Sequence, residues 1–209
     1  FQIWLNLPAE SKMADPYFTM LWDSDIPEIA IGEGGAGGAV TVIAGDLPGA
    51  IAPGPPPDSW ASRADSAVAI WHVRLEPGAR WTMPAAPGVL AAVHPVHRMI
   101  YAFEGDGVEV GGEVLESGRG ALLGTSGEVE LAAPDRRVEL LVLQGRPIAE
   151  PVAQYGPFVM NTRAEIQEAM DDYRRTGFGG WPWDGDDPVH PREQGRFARH
   201  PDGREEEPS

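Results

Sequence analysis

Short apolar runs separated by turn residues are the main pattern of the chain between residues 39 and 145. Within the runs, hydrophobic residues dominate or alternate with polar ones, and the segments between them contain Gly and Pro, which favour turns. Short runs at this spacing are typical of antiparallel sheets that form a sandwich or barrel, so the pattern predicts an all-β domain. The predicted strands are residues 39–45, 67–75, 80–83, 98–105, 108–110, 113–116, 120–124, 128–133 and 137–145.

One amphipathic helix is predicted after the strands, over residues 162–176. Thr162 stands at its start and Glu165 follows three positions later, which is the sequence signature of a capping box. The apolar positions recur at i, i+3, i+4 and i+7, so the helix has a single apolar face that we expect to pack on a β-sheet. These positions are Ile166, Ala169, Met170 and Tyr173.

The two ends of the chain lack this regularity. Residues 1–7 are mostly apolar and predict a β-strand that stops at Pro8. The glycine-rich residues 32–38 predict a flexible connector, and the last dozen residues, with His200, are predicted to be disordered and solvated. The chain is therefore divided into residues 1–33, residues 34–150, and a helix and tail over residues 151–209.

Charge and composition exclude several classes of function. The net charge is −16, and a polyanion is repelled by nucleic acid phosphates and by anionic membranes, so we expect no direct nucleic acid or membrane partner. No apolar run approaches the roughly 18 residues of a membrane helix. Cysteine is absent, which excludes disulfides and thiolate chemistry and fits a cytoplasmic protein.

Two catalytic motifs can be dismissed. The sequence GEGGAG has the spacing G-x-G-x-x-G, but a strand rather than a helix follows it, so a dinucleotide site is not predicted. No G-x-S-x-G sequence is present and no catalytic triad can be assembled. His72 lies in an apolar run, where a hydrogen-bonded strand histidine is the better interpretation. We predict no catalytic and no cofactor-binding residue in this chain.

One further stretch has the form of a metal-binding motif. Residues 100–112 have the form of the first cupin motif, in which two His spaced H-x-H and a Glu hold Fe, Mn or a similar metal. In that alignment the Glu position falls on Arg98, and the two His positions fall on Ala92 and His94. A guanidinium has no lone pair to donate. We therefore predict no metal site, with His94 and His97 as the only fallback pair; alternatively, these two pack or hydrogen-bond at the barrel mouth.

Six stretches of the chain match the sequence pattern of one known family. They are residues 1–13, 25–28, 40–45, 75–84, 101–112 and 150–183. Together they resemble the pirin family, whose members are two-domain cupins. The resemblance covers residues 1 to about 197 and is most specific over residues 150–183. It implies a double-stranded β-helix, the RmlC-like jelly roll, over about residues 38–145, with one C-terminal α-helix.

The resemblance also implies a function. Pirins are associated with non-haem iron, with quercetin 2,3-dioxygenase-type oxidation of flavonols and with regulatory partner binding. Their metal is held by the N-terminal cupin domain through an H-x-H and a later H-x-E motif, and neither motif is present here. By this resemblance, residues 1–33 hold the final strand of that domain and a linker, and iron is expected in the missing N-terminal domain.

Two functional hypotheses follow from the resemblance. In the first, the parent protein is an iron-dependent dioxygenase and this chain alone is non-catalytic. In the second, it is a redox-sensing or partner-binding regulatory cupin without enzymatic activity. Under either hypothesis the expected partner is the N-terminal cupin domain, and exposed aromatics are expected to cause self-association. The apolar residues concerned are Phe1, Ile3, Trp4, Trp181 and Trp183.

Overall fold

The computed structural model describes residues 1–86, 95–180, 185, 190–200 and 202–208. The chain divides into two compact units. One unit is Ile26–Pro147, and the other combines Phe1–Asp25 with Ile148–Ser209. The division after Pro147 lies close to the predicted boundary at residue 150.

The unit Ile26–Pro147 consists of two antiparallel sheets. The strands are β1 (Glu28–Ile31), β2 (Gly38–Ala44), β3 (Ala69–Leu75), β4 (Arg80–Met83), β5 (His97–Glu104), β6 (Val108–Val110), β7 (Glu113–Leu115), β8 (Gly120–Leu123), β9 (Val129–Ala132) and β10 (Val138–Gly145). The larger sheet has the strand order β1-β2-β3-β10-β5-β8 and the smaller sheet the order β4-β9-β6-β7. All nine predicted strands are present, so the predicted all-β jelly roll is confirmed.

The core forms because the inward positions of the strands are apolar. Strand β3 alternates strictly: Trp71 and Val73 are buried, while His72 between them is only half-buried. Strand β10 lies between β3 and β5, and its first five residues are all buried. Each fully buried Val or Leu side chain contributes about 1.5–3 kcal/mol relative to an exposed one.

The glycine-rich segment is not the flexible connector that its composition predicted. Strands β1 and β2 form an antiparallel hairpin, and residues 32–37 are its turn, closed by the Gly37 N–H donating to the Ile31 carbonyl at 2.8 Å. Strand β1 was not predicted. The proposed boundary at residue 33 therefore falls inside a hairpin. The glycine content of this segment predicted flexibility, but hydrogen bonds between the two strands order it.

Residues 1–7 do not form the predicted β-strand, and that prediction is wrong for this chain. A strand is defined by its ladder of hydrogen bonds to a neighbouring strand, and none of the strand pairings in the described part of the chain includes residues 1–7. The predicted exposure of the apolar side chains is confirmed: Phe1 is 82% and Trp4 65% exposed, and Ile3 is also exposed. Trp181 and Trp183 lie outside the described residues.

The second unit contains the predicted helix, α1 (Arg163–Thr176). The capping box is present, since the Glu165 N–H donates to Thr162 Oγ1 at 3.2 Å and the Thr162 N–H donates to Glu165 Oε2 at 2.7 Å. Gly177 ends the helix with a left-handed φ of 60°. The helix is preceded by a hairpin of β11 (Ala153–Tyr155) and β12 (Phe158–Met160). No helix among the described residues is long and apolar enough to cross a membrane.

The apolar face of α1 packs on this hairpin, as predicted. Ile166 and Ala169 are buried with Met160. Tyr173 contacts the ring of Phe158, with 5.8 Å between the centroids, although half of its surface stays exposed.

The predicted disorder of the last dozen residues is wrong for those that the structure describes. Strands β13 (Ala198–Arg199) and β14 (Glu205–Glu206) form a small hairpin. His200 is buried rather than solvated, because its ring packs against Phe18 at 5.1 Å and hydrogen-bonds to Glu206. Contacts between distant parts of the chain therefore order a tail whose composition favoured disorder.

Candidate functional site: a cavity at the end of the barrel

A cavity of about 510 Å³ lies in the unit Ile26–Pro147. It is lined by the proline-rich loop that follows β2, by the segment before β3, and by side chains of β3, β5 and β10. Gln144 stands opposite both Ala69 and Arg98 in the strand register. The lining groups therefore come from one end of the barrel, where the strands of the larger sheet bring them together.

Arg98 is the central charged group of this cavity, and it is fully buried. Its Nε and Nη2 donate to Gln144 Oε1 at 2.8 and 2.5 Å, and its Nη1 donates to the Pro84 carbonyl at 2.8 Å. Gln144 is itself held by its Nε2, which donates to the Ala67 carbonyl at 2.9 Å. The guanidinium is therefore fixed by strands β5 and β10 and by the segment after β4.

An aromatic ring and a hydroxyl also line the cavity. The Arg98 guanidinium carbon lies 5.9 Å from the centroid of the Trp71 ring, which is a cation–π distance. Trp71 Nε1 donates to the Gly45 carbonyl at 2.9 Å. Ser66 is buried beside the cavity, and its Oγ accepts the Val68 N–H at 3.3 Å.

Arg98 has no anionic partner in the described part of the chain. Its described hydrogen-bond acceptors, Gln144 and Pro84, are both neutral. Burial lowers the pKa of the Arg98 guanidinium below its ordinary value, but an arginine stays protonated in proteins. The cavity is thus bordered by a buried positive charge that is hydrogen-bonded but not neutralised.

The described residues of this cavity do not fit a metal dication. Arg98 occupies the position at which the cupin alignment requires a Glu ligand, and it offers only N–H donors. His97 is exposed at the start of β5, and among the residues that the structure describes no three His, Cys, Asp or Glu side chains are grouped closely enough to hold a metal. Ala92 and His94 lie outside the described residues, so the His94–His97 pair is not tested.

His72 lies in a different cluster on β3, as a hydrogen-bonded strand histidine, which was predicted. Its Nε2 is 2.9 Å from Glu139 Oε2, and Arg137 donates to the other carboxylate oxygen. Burial by itself raises the pKa of Glu139, but the hydrogen bonds from Arg137 and His72 outweigh it and hold the pKa below its ordinary value. The cluster of His72, Arg137 and Glu139 therefore stabilises the ionised Glu139 carboxylate, and it does not border the cavity.

The sequence pattern identifies Arg98 but not the groups around it. Gln144, Trp71 and Ser66 lie in or beside ordinary strand patterns, and nothing in their local sequence marks them as part of a cavity. The one available signal was their position near strand ends, since polar groups at the ends of barrel strands surround the opening of the barrel.

Comparison with known proteins identifies this two-sheet barrel as a cupin. The crystal structure of quercetin 2,3-dioxygenase from Acinetobacter baumannii matches 85% of this chain and 56% of its own, with a TM-score of 0.67 and 33% sequence identity. The Pirin C-terminal cupin domain matches residues 70–179, which is more than half of the chain. The chain therefore belongs to the pirin family.

Other relatives agree with this assignment. Pirin-1 of Arabidopsis thaliana is 31% identical over 180 residues, which are 85% of this chain and 57% of that protein. Human pirin is 28% identical over 181 residues, which are 85% of this chain and 56% of that protein. The chain thus spans little more than half the length of these relatives.

Proposed function

We propose that the protein acts as a quercetin 2,3-dioxygenase-type pirin in which the cupin domain of this chain does not hold the catalytic iron. The observation that carries the proposal is the buried, triply hydrogen-bonded Arg98 at the position of the cupin Glu ligand. In this proposal, the domain packs against and supports a metal-bearing cupin, and the chain alone oxidises no flavonol. The solved relative from Acinetobacter baumannii supports the substrate class through its name.

The electrostatics at Arg98 support the absence of iron from this domain. At about 5 Å and an effective dielectric constant near 20, the repulsion between a +1 and a +2 charge is about 7 kcal/mol before screening. Non-haem iron sites use about three His or carboxylate ligands, which offset such costs. One or two imidazoles cannot offset a repulsion of this size.

A second function is favoured by a separate observation. Phe1 and Trp4 expose most of their surface, and exposed apolar groups of this kind mark protein interaction sites. This supports the alternative of a partner-binding regulatory cupin without enzymatic activity. The two functions differ in one measurable respect, namely whether the protein contains iron and oxidises flavonols.

The test is anaerobic loading of the purified chain with Fe(II), removal of free metal and metal analysis, followed by incubation with quercetin and O₂. We expect substoichiometric iron and no quercetin loss beyond that caused by free iron. The double variant Arg98→Glu, Ala92→His is expected to gain iron, because it restores two of the cupin ligands. The control variant Arg80→Glu reverses an exposed charge and should gain none. Near-stoichiometric iron in the unmodified chain would contradict the proposal.

A further inference from the structure

The cavity beside Arg98 has a charge imbalance that the fold alone does not require. Moving a guanidinium out of water costs several kcal/mol unless an opposite charge or strong hydrogen bonds compensate it. Among the residues that the structure describes, the compensation comes from the Gln144 amide, the Pro84 carbonyl and the Trp71 ring, all of which are neutral. The site is therefore electrostatically incomplete, and the group that would complete it is an anion.

We propose that this cavity binds a small organic monoanion, a carboxylate on a flat apolar group, with its carboxylate directed at the Arg98 guanidinium. The proposal goes beyond the dioxygenase assignment and is independent of it, because it concerns the occupant of this cavity and not the location of iron.

Hydrogen-bond donors remain available for such a ligand. A guanidinium carries five N–H groups, and the described contacts of Arg98 use one on Nε, one on Nη1 and one on Nη2. One N–H on each Nη therefore has no acceptor among the described residues. The Ser66 hydroxyl accepts the Val68 N–H, and no acceptor in the described part of the chain takes its proton. Arginine donors of this kind match the geometry of a carboxylate.

The size and walls of the cavity suit a compact apolar body. Its volume of about 510 Å³ is within the range of small-molecule sites. The proline-rich loop contributes Pro48, Pro53 and Pro55, and further walls are formed by Ala and Gly, whose short side chains leave open space. A planar hydrocarbon group can pack on such walls without having to satisfy any polar atom.

The described part of the cavity rim carries one exposed charge of each sign. Asp46 would repel a second anionic group, and Arg63, which also lines the cavity, is already paired with Asp65 at 3.5 Å. The net charge of −16 further disfavours polyanions. A dication is disfavoured by Arg98 itself, so a monocarboxylate is the class that satisfies all three constraints.

The experiment compares benzoate with benzamide, its neutral counterpart of similar shape, by calorimetry on the full chain. We expect saturable benzoate binding and benzamide binding at least about tenfold weaker, because only benzoate pairs with the charge. NMR of the arginine Nε–H groups should show one resonance that shifts on benzoate addition. Inorganic phosphate is the third probe and should bind more weakly than benzoate.

Variants decide whether Arg98 is responsible. Arg98→Met keeps the length of the side chain and removes the charge, and a buried ion can often be replaced in this way without loss of folding. It should abolish benzoate binding, whereas Arg80→Met, at an exposed arginine, should leave it unchanged. If Arg98→Met does not fold, Ser66→Ala is the second variant and should weaken benzoate several-fold while leaving benzamide unaffected.

Four results would overturn the inference. The first is the absence of saturable benzoate binding up to about 20 mM, a concentration range in which even weak single-carboxylate contacts are detectable. The second is equal binding of benzoate and benzamide, and the third is tighter binding of phosphate than of benzoate. The fourth is unchanged benzoate binding in a folded Arg98→Met variant.

Discussion

At the scale of single residues, two buried charges are stabilised in different ways. Arg98 is held by neutral acceptors, whereas Glu139 accepts hydrogen bonds from two basic side chains, His72 and Arg137. Both groups lie on strands of the larger sheet. The difference matters for stability. Hydrogen-bond donors stabilise the ionised form of a carboxylate in the folded state, so the contribution of that carboxylate to the free energy of unfolding depends on pH.

Replacing Glu139 by Gln should therefore destabilise the fold by about 1.5–3 kcal/mol at pH 7, the range for hydrogen bonds to charged groups. The folded-state pKa of Glu139 is below its ordinary 4.5, so its contribution is present above pH 4.5 and is lost as the pH falls through the folded-state value. Urea unfolding of the two proteins from pH 7 to pH 3 measures this.

The control for Glu139 is Glu130→Gln, which removes an exposed ion pair with Arg80. Its cost should stay below about 1 kcal/mol at every pH, because exposed pairs contribute little. A difference between wild type and Glu139→Gln that does not shrink on acidification would contradict the assignment.

Gly38 provides a second prediction at this scale. Its φ is +111°, and an added Cβ would lie 2.0 Å from the Arg74 carbonyl oxygen. Gly38→Ala should therefore cost more than the roughly 1–3 kcal/mol of backbone strain alone. Gly111→Ala is the matched control, since Gly111 also has a positive φ, +57°, but no heavy atom within 4 Å of the added Cβ. Chemical unfolding should show a clearly larger loss for Gly38→Ala; equal losses would mean that the close contact relaxes.

At the scale of elements, two independent features stabilise helix α1, namely its N-terminal cap and its apolar face. The capping box satisfies N–H groups that have no partner within the helix, and burial of Ile166 and Ala169 attaches the helix to the β11–β12 hairpin. The cap acts through local hydrogen bonds and the apolar face through packing. The two contributions can therefore be separated by substitution.

Thr162→Ala should destabilise the helix by about 1 kcal/mol, within a range of roughly 0.5–2. Hydrogen exchange of the helix amides reports this directly, because opening of the helix exposes them. Arg163→Ala is the control at the neighbouring exposed position and should have little effect on exchange. Exchange that is unchanged in Thr162→Ala would show that packing alone holds the first turn.

At the scale of the whole molecule, net negative charge and exposed apolar surface have opposite effects on self-association. The net charge of −16 keeps molecules apart, while Phe1 and Trp4 present apolar surface that favours association. Because salt screens the repulsion and not the apolar attraction, ionic strength should control which effect dominates.

The chain should therefore self-associate reversibly, and more strongly at high salt. Sedimentation velocity across concentration and ionic strength measures this. The variant Phe1→Ser, Trp4→Ser should shift the equilibrium towards monomer, whereas Ile51→Ser, at another exposed apolar residue, should not. A clean monomer at every concentration and salt level would refute the prediction.

The sequence by itself determined the nine strands of the barrel and helix α1, because alternation, turn residues and the capping box act within a few residues of one another. It also placed Arg98 where a cupin would have a metal ligand. Tertiary structure alone decided the features that depend on distant partners. Strand β1 exists because β2 pairs with it, residues 1–7 form no strand because they belong to none of the sheets in the described part of the chain, and His200 is ordered by Phe18. The cavity depends on Gln144, which lies 46 residues from Arg98 and meets it only because β10 and β5 are neighbours.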